Sequence, residues 1–220
     1  MTPYYDEGGI TIYHADCRDV LPKLEAGSVD LVLTDPPYGI NHPTDYATRG
    51  RGLLAPCTDY PPVHGDDEPF DPRWLLDIGK AHIFWGGNYY AHLLKPVSGW
   101  LVWDKERPDD LDQSTCELAW TDCVLGVRRF RYLWNGMLRA DKERLFHPTQ
   151  KPIALMRWCM ELRWTRQFGL ILDPFMGSGT TLRAAKDLGS RAIGIEIEER
   201  YCEIAVKRLQ QQVLPLEFSA

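Results

Sequence analysis

Phe168-Gly169-Leu170-Ile171-Leu172-Asp173-Pro174-Phe175-Met176-Gly177-Ser178-Gly179-Thr180-Thr181 is the stretch whose reading decides the fold. An apolar run stops at an acidic residue, a glycine-rich turn follows, and a helical pattern runs from Leu182 to about Leu188. Strand, glycine turn and helix together are how an α/β sheet presents backbone N–H groups to a ligand. Gly177 and Gly179 let the backbone approach that ligand, and the helix start at Thr180-Thr181 favours an anionic group. Gly189-Ser190-Arg191 turns the chain into a second strand, Ala192-Ile193-Gly194-Ile195, ending at Glu196, 17 residues after Gly179. An acidic residue there can accept both hydroxyls of a ribose. Thr180 stands where a phosphate loop needs lysine, and Leu182 where a dinucleotide fingerprint needs its third glycine. A nucleoside carrying a small carboxylate fits this turn better than a pyrophosphate.

A second strand end lies far upstream. Leu31-Val32-Leu33-Thr34 reads as a buried strand that stops at Asp35-Pro36-Pro37-Tyr38-Gly39. Each proline fixes its own φ and biases the preceding residue toward an extended shape, so Asp35 and Pro36 have little freedom. A carboxylate and a bare carbonyl are thereby held side by side, with an aromatic ring next to them. Such a set suits the exocyclic amine of a flat ring. Two acceptors that each take one N–H favour a pyramidal nitrogen with its lone pair directed at an electrophile, and Tyr38 can stack on the ring. The competing reading is a strand that ends in a proline-rich turn capped by Asp35.

The remaining chain supplies further strands and helices. Gly9-Ile10-Thr11-Ile12-Tyr13-His14 alternates as a strand, and Asp16 stands where it caps a helix or meets a ligand at the strand end. Ala81-His82-Ile83-Phe84-Trp85, Trp100-Leu101-Val102-Trp103-Asp104-Lys105, Cys116-Glu117-Leu118-Ala119-Trp120 and Phe130-Arg131-Tyr132-Leu133-Trp134 read as strands. Helices are expected from Asp71-Pro72, from Tyr89, over 153–163 and over 198–211. Strands separated by helices predict an α/β sheet. Residues 40–72 carry little regular pattern and follow the proposed site, so a mobile segment closing over substrate is expected. Arg49 and Arg51 within it can meet phosphates or be ordinary solvated charges. Residues 126–147 interleave Arg128, Arg129, Arg131, Arg139 and Lys142 with aromatic rings, which reads either as a phosphate- and base-contacting face or as an exposed hairpin.

Bulk properties bound the answer. The chain of 220 residues suits one domain with a substantial core. Net charge is −6, so nucleic-acid contact has to come from local basic patches. The six cysteines form no C-x-x-C pair, and the N-terminal residues do not read as a signal peptide. A cytoplasmic protein with reduced thiols and neither a metal site nor a membrane segment is expected.

These motifs carry a resemblance. Asp35-Pro36-Pro37-Tyr38 resembles the catalytic motif of amino-group DNA methyltransferases, which act on adenine N6 or cytosine N4. Asp173-Pro174-Phe175-Met176-Gly177-Ser178-Gly179 is similar to their cofactor motif, and His147-Pro148-Thr149-Gln150-Lys151-Pro152 looks like the segment preceding it. Catalytic motif first and glycine motif late resembles the permuted β group, over roughly residues 10–209. The resemblance implies a Rossmann-like α/β fold: a seven-stranded, mostly parallel sheet with one antiparallel strand and helices on both faces. It implies a single catalytic domain over 1–220, with a mobile loop at about 40–72 and a small target-recognition insertion at about 126–147. The cofactor implied is S-adenosyl-L-methionine. Thr149, Gln150, Lys151, Asp173, Phe175, Gly177, Ser178, Gly179, Thr180 and Thr181 would surround its methionine part. Glu196 would hold the ribose, Asp16 would approach the adenine, and Asp35 would stand between cofactor and target base. Asp35, Pro36, Pro37 and Tyr38 would bind a base flipped out of the duplex. Asp at the first motif position leans toward adenine N6 in a short recognition sequence, with cytosine N4 as the alternative. RNA or protein-amide methylation and a non-catalytic DNA-binding module are the more distant readings. DNA is the implied partner; a homodimer and a cognate restriction enzyme stay open.

Overall fold

The computed structural model describes residues 1–42, 61–108, 114–135, 138–140, 145–146 and 149–211. Among the described residues eleven strands are formed: β1 (Tyr5–Glu7), β2 (Ile10–His14), β3 (Leu31–Thr34), β4 (Ala81–Trp85), β5 (Trp100–Asp104), β6 (Cys116–Thr121), β7 (Val127–Arg131), β8 (Trp134–Asn135), β9 (Leu138–Arg139), β10 (Leu170–Asp173) and β11 (Arg191–Glu196). Helices are α1 (Cys17–Val20), α2 (Gly87–Tyr90), α3 (Ile153–Glu161), α4 (Thr180–Asp187) and α5 (Glu199–Gln210). Nine strands form one sheet in the order β1-β2-β11-β10-β3-β4-β6-β5-β7, while β8 and β9 pair separately.

The sheet corrects the expected strand count. Its central seven, β2 to β5 in that order, are parallel apart from β6, which runs antiparallel to both β4 and β5. Two edge strands extend it. β7 adds parallel to β5, and the short polar β1 adds antiparallel to β2, where Thr11 Oγ1 donates to Asp6 at 3.0 Å. Two helix expectations shorten as well. Pro72–Leu75 is a 3-10 turn capped by Asp71, and the segment from Tyr89 is covered by α2 and a 3-10 turn over Ala91–Leu93.

Strand alternation divides the core between the two faces of the sheet. Ile10, Ile12, Leu31, Leu33, Ile83 and Ile171 pack with Leu155, Cys159, Leu182, Ala185 and Ala205 of α3, α4 and α5. Val32, Phe84 and Leu172 pack on the other side with Cys17, Val20, Leu75 and Tyr90. β3 and β4 are buried on both faces, which is why they read as unbroken apolar runs. Among the described residues no helix is long and apolar enough to cross a membrane, and the five described cysteines are free.

The placement that matters for function is β3 beside β10. They pair in parallel, with Ile171 opposite Leu31 and Leu172 opposite Val32. Asp35 and the glycine turn, 138 or more positions apart in sequence, therefore leave neighbouring strands at the same carboxyl edge. β11 adjoins β10 and β2 adjoins β11, so Glu196, opposite His14, and Asp16 stand along that edge too.

Candidate active site

Asp173 ties the two segments together. It is 3% exposed, and its Oδ1 accepts from Thr34 Oγ1 at 2.7 Å and from the Phe175 N–H at 3.2 Å. The Thr181 hydroxyl bonds to the same carboxyl. One side chain thus links the end of β3, the glycine turn and the start of α4. Burial pushes its pKa up to about 6 despite these donors. The sequence points to Asp173 as a ligand contact, whereas in the fold these bonds turn it inward as a brace.

The turn itself needs its glycines. Gly177 and Gly179 have φ of +51° and +80°. A Cβ on Gly179 would lie 2.7 Å from the Ala205 Cβ, so α5 closes against the turn only because that atom is missing. Ser178 and Thr180 are held from behind by Arg208 of α5. Its Nη1 donates to the Ser178 carbonyl at 2.7 Å, to Ser178 Oγ at 2.9 Å and to Thr180 Oγ1 at 3.3 Å. Gln150 Oε1 accepts from Ser178 Oγ at 3.2 Å, which fastens the segment of Thr149, Gln150 and Lys151 to the turn.

Glu196 closes the other side. Its Oε2 accepts the Gly177 N–H at 3.0 Å and its Oε1 the Glu198 N–H at 2.8 Å. No cation pairs with it among the described residues, and burial pushes its pKa up to about 7. Asp16 caps α1, accepting from the Arg18 N–H at 2.8 Å.

At the end of β3, Asp35 enters a buried charge cluster. Its Oδ1 accepts from the Tyr38 hydroxyl at 2.5 Å, and its Oδ2 from Lys151 Nζ at 2.6 Å. Lys151 also donates to Tyr38 Oη at 3.1 Å and lies 3.0 Å from Glu117 Oε2. The other Glu117 oxygen pairs with Lys105. Among these four ionisable residues, two cations face two anions. Burial and the Glu117 charge hold Asp35 above its ordinary value, against the pull of Lys151. Burial also acts to raise Glu117, but the two lysines outweigh it and lower it to about 2. Desolvation would lower Lys151; the two facing carboxylates overcome it and hold it up.

Tyr38 is fixed by its neighbours. It stacks on Tyr89 with centroids 4.9 Å apart and planes at 20°, and it passes close over Gly86. Its backbone N–H and that of Gly39 donate to Asp66 Oδ1, both at 2.9 Å, and the His42 N–H donates to Oδ2 at 2.6 Å. Phe175 packs edge-on against Phe70, at 5.5 Å, and against Trp74.

The fold therefore gathers Asp16, Asp35, Tyr38, Gln150, Lys151, Phe175, Gly177, Ser178, Gly179, Thr180 and Glu196 at one edge. It adds residues that the motifs do not reveal: Lys105, Glu117, Asp66 and Arg208. Glu117 and Lys105 lie in or just after recognised strands, but strand charges ordinarily point to solvent. Only the pairing of β5 with β6, with Asp104 opposite Cys116, brings them face to face.

The basic segment is divided. Period-two alternation puts Arg128 on one face of β7, over the Trp164 ring at 4.9 Å, and Arg129 and Arg131 on the other, near Asp104 at 3.9 and 3.3 Å. Phe130 stacks on Trp158 on the Arg128 side. A single basic-aromatic face over the whole segment is thereby replaced by two. Arg49, Arg51, Lys142 and the side chain of Arg139 lie outside the described residues. Among the described residues no group of three or more His, Cys, Asp or Glu is arranged to hold a metal ion.

Comparisons with known proteins agree with this geometry. The chain is 27% identical to the type II methyltransferase M2.LlaDCHI of Lactococcus lactis subsp. cremoris, over 95% of this chain and 92% of that protein. It is 27% identical to M2.DpnII of Streptococcus pneumoniae, over 96% and 93%. Among solved structures, the M1.HpyAVI–SAM complex superposes with a TM-score of 0.56 at 23% identity, covering 91% of this chain and all of that one. The cytosine-N4-specific PvuII DNA methyltransferase superposes with a TM-score of 0.63 at 13% identity, covering 96% and 90%. The fold is that of the DNA methyltransferases, with the strand count extended at both edges. The N6/N4 DNA methylase family model matches residues 65–207, and the chain belongs to that family of amino-group DNA methyltransferases.

Proposed function

We propose that this protein transfers a methyl group from S-adenosylmethionine to adenine N6 in a short DNA recognition sequence. The observation that carries the reading is the pairing of β3 with β10, with Asp173 bonded to both strand ends. This proximity supports reading Asp35 and the Pro36 carbonyl as acceptors for an amine beside a turn suited to a nucleoside. The residues fit the cofactor: the turn carries two glycines at positive φ, which bring backbone close to a ligand, and Glu196 is a partly buried carboxylate with no cation beside it among the described residues. Gly177, Gly179, Thr180 and Gln150 would hold the methionine part, Glu196 the ribose hydroxyls, and Asp16 the adenine side. When bound, the cofactor supplies an electrophilic methyl group on a sulfonium, so no metal activation is required.

The chain's own residues then orient the target. Asp35 and the Pro36 carbonyl accept the two N–H bonds of the flipped amine, Pro37 keeps the segment rigid, and Tyr38 covers the base. The amine proton passes first to Asp35. Residues 43–60 of the expected 40–72 loop lie outside the described residues. Residues 1–220 act as one catalytic domain, with the 126–147 segment meeting DNA. Arg129 and Arg131 support that assignment, because the carboxyl end of β7 lies at the same sheet edge as Asp35. Expression in a methylation-deficient host, followed by nucleoside mass spectrometry and methylation-aware sequencing, tests the proposal. N6-methyladenine at a defined site supports it. N4-methylcytosine would move the target to the other amino base, and unmodified DNA would refute it.

Cofactor affinity should depend on pH through Glu196. In the free protein its raised pKa makes the ionised form unfavourable, so its contribution to stability is complete below the unfolded value of 4.5 and is lost as pH rises through about 7. Ribose hydroxyls are donors and select the carboxylate. Affinity is therefore expected to rise roughly tenfold between about pH 6 and pH 8, with proton release at the lower pH. Calorimetry in two buffers of different ionisation enthalpy measures both, and Glu196→Gln should flatten the profile.

Gly86→Ala is expected to disturb the base site alone. Gly86 has φ +74°, and a Cβ there would lie 2.0 Å from Tyr38 Cε1. The ring has to leave its stack on Tyr89. A loss of about 10- to 100-fold in kcat is expected from misplacement on this scale, with cofactor affinity unchanged.

A further inference from the structure

One buried acceptor in the charge cluster is left without a proper donor. Glu117 Oε2 is sequestered from solvent and receives no hydrogen bond of good geometry among the described residues. Lys151 Nζ is 3.0 Å from it, but off the direction a hydrogen bond needs. Lys151 is meanwhile drawn to Asp35 Oδ2 at 2.6 Å and to Tyr38 Oη at 3.1 Å. Both Asp35 oxygens are thus occupied, Oδ1 by the Tyr38 hydroxyl and Oδ2 by an ammonium.

That arrangement opposes the proposed reaction in two ways. A Lys151 ammonium held at 2.6 Å from Asp35 Oδ2 competes with an amine N–H for its lone pairs and its side of approach. A cation on that carboxylate also weakens it as an acceptor and disfavours the positive charge that develops on the amine. Lys151 must yield, yet expelling a buried ammonium to nowhere would leave it unpaired. Glu117 Oε2 is an anionic position within reach. Glu117 is itself tethered by Lys105 at its other oxygen, so it can receive Lys151 without following it.

Resting on the methyltransferase reading above, we propose that Glu117 is a positioning residue onto which Lys151 swings when the target amine takes Asp35 Oδ2. The four residues keep their total charge, because one ion pair is exchanged for another. Lys151 thereby acts as a removable plug: it neutralises Asp35 while the pocket is empty and withdraws onto Glu117 when the base arrives.

The test is Glu117→Gln in the full chain. It keeps the shape of the side chain but removes the charge that would draw Lys151 away. On DNA from a methylation-deficient host, kcat is expected to fall about 30-fold, with S-adenosylmethionine affinity measured by calorimetry and KM for DNA each within about twofold of wild type. The residual rate should climb from about pH 7 to about pH 10, because a Lys151 lacking Glu117 deprotonates more readily and then releases Asp35. Wild type should stay flat over that range. Glu117→Asp, which restores the charge, should recover at least about tenfold of the loss. Carbon-13 NMR of the lysine ε-carbons in the cofactor- and DNA-free protein gives a readout apart from turnover: the Lys151 resonance, assigned by its loss in Lys151→Arg, should titrate lower in Glu117→Gln. A Gln variant as fast as wild type would overturn the proposal. So would an unmoved Lys151 titration, or a slow variant whose pH profile matches wild type and which Glu117→Asp does not rescue. Should Glu117→Gln fold too poorly for kinetics, Glu117→Asp decides: at least about a tenth of the wild-type kcat supports the proposal, and less overturns it. A wild-type protein that methylates no DNA would refute the underlying reading along with it.

Discussion

Asp35→Ala should abolish methyl transfer while leaving the cofactor site intact. A loss of about 10³-fold or more in single-turnover rate, corresponding to roughly 4 kcal/mol of transition-state stabilisation, is expected from removing the principal acceptor of the amine. The described hydrogen bonds of the glycine turn, Gln150 and Glu196 do not involve Asp35. Cofactor affinity by calorimetry should therefore remain within about threefold of wild type. The substitution leaves Lys151 with Glu117 as its carboxylate, so the protein should still fold. Methylation at the wild-type rate would remove Asp35 from the chemistry, and lost cofactor binding would show that the two sites are not separable.

Lys151→Met carries the largest expected cost in stability. It leaves Asp35 and Glu117 largely enclosed, having lost the one cation that bridges them among the described residues. Breaking a buried pair in this way costs about 3–5 kcal/mol, because an uncompensated charge stays behind. The pH dependence has a definite sign. In wild type, Glu117 is depressed to about 2, so its contribution is present above the unfolded value of 4.5 and lost only as pH falls through about 2. The Lys151 contribution is present below its unfolded value of 10.5 and lost as pH rises through its elevated folded value. Wild type is thus supported across neutral pH. In the variant both carboxylates rise and can protonate, so the deficit should be greatest near about pH 8 and should narrow toward about pH 5. Urea denaturation at the two values measures it, and an equal deficit at both would contradict the ion-pair account.

Most of what builds the site was legible in the chain, for identifiable reasons. β3, β4, β10 and β11 are buried on both or nearly both faces, so their apolar runs announce them. Asp35-Pro36-Pro37-Tyr38 and the Gly177–Gly179 turn are local constructions, dictated by proline geometry and by positive φ. What escaped was set by tertiary pairing. Strand β7 starts three residues earlier than its aromatic pattern suggests, because Phe130 sits opposite Trp103 and stacks on Trp158. β1 is three polar residues that become a strand only by adding to β2. Asp66 gathers the N–H groups of Tyr38, Gly39 and His42 from 28 residues downstream of Tyr38, and nothing in its own neighbourhood announces that duty. Glu117 lies between two lysines that are distant in sequence and adjacent in space.

The bond between Thr34 and Asp173 spans 139 residues. Synthesis on the ribosome therefore delivers Asp35 long before strand β10, which stands beside β3. Contacts of such separation form late, since the intervening chain has to be closed first. A nascent or truncated product ending before β10 would leave β3 paired with β4 alone and without the glycine turn. The two halves of the proposed site are thus completed together.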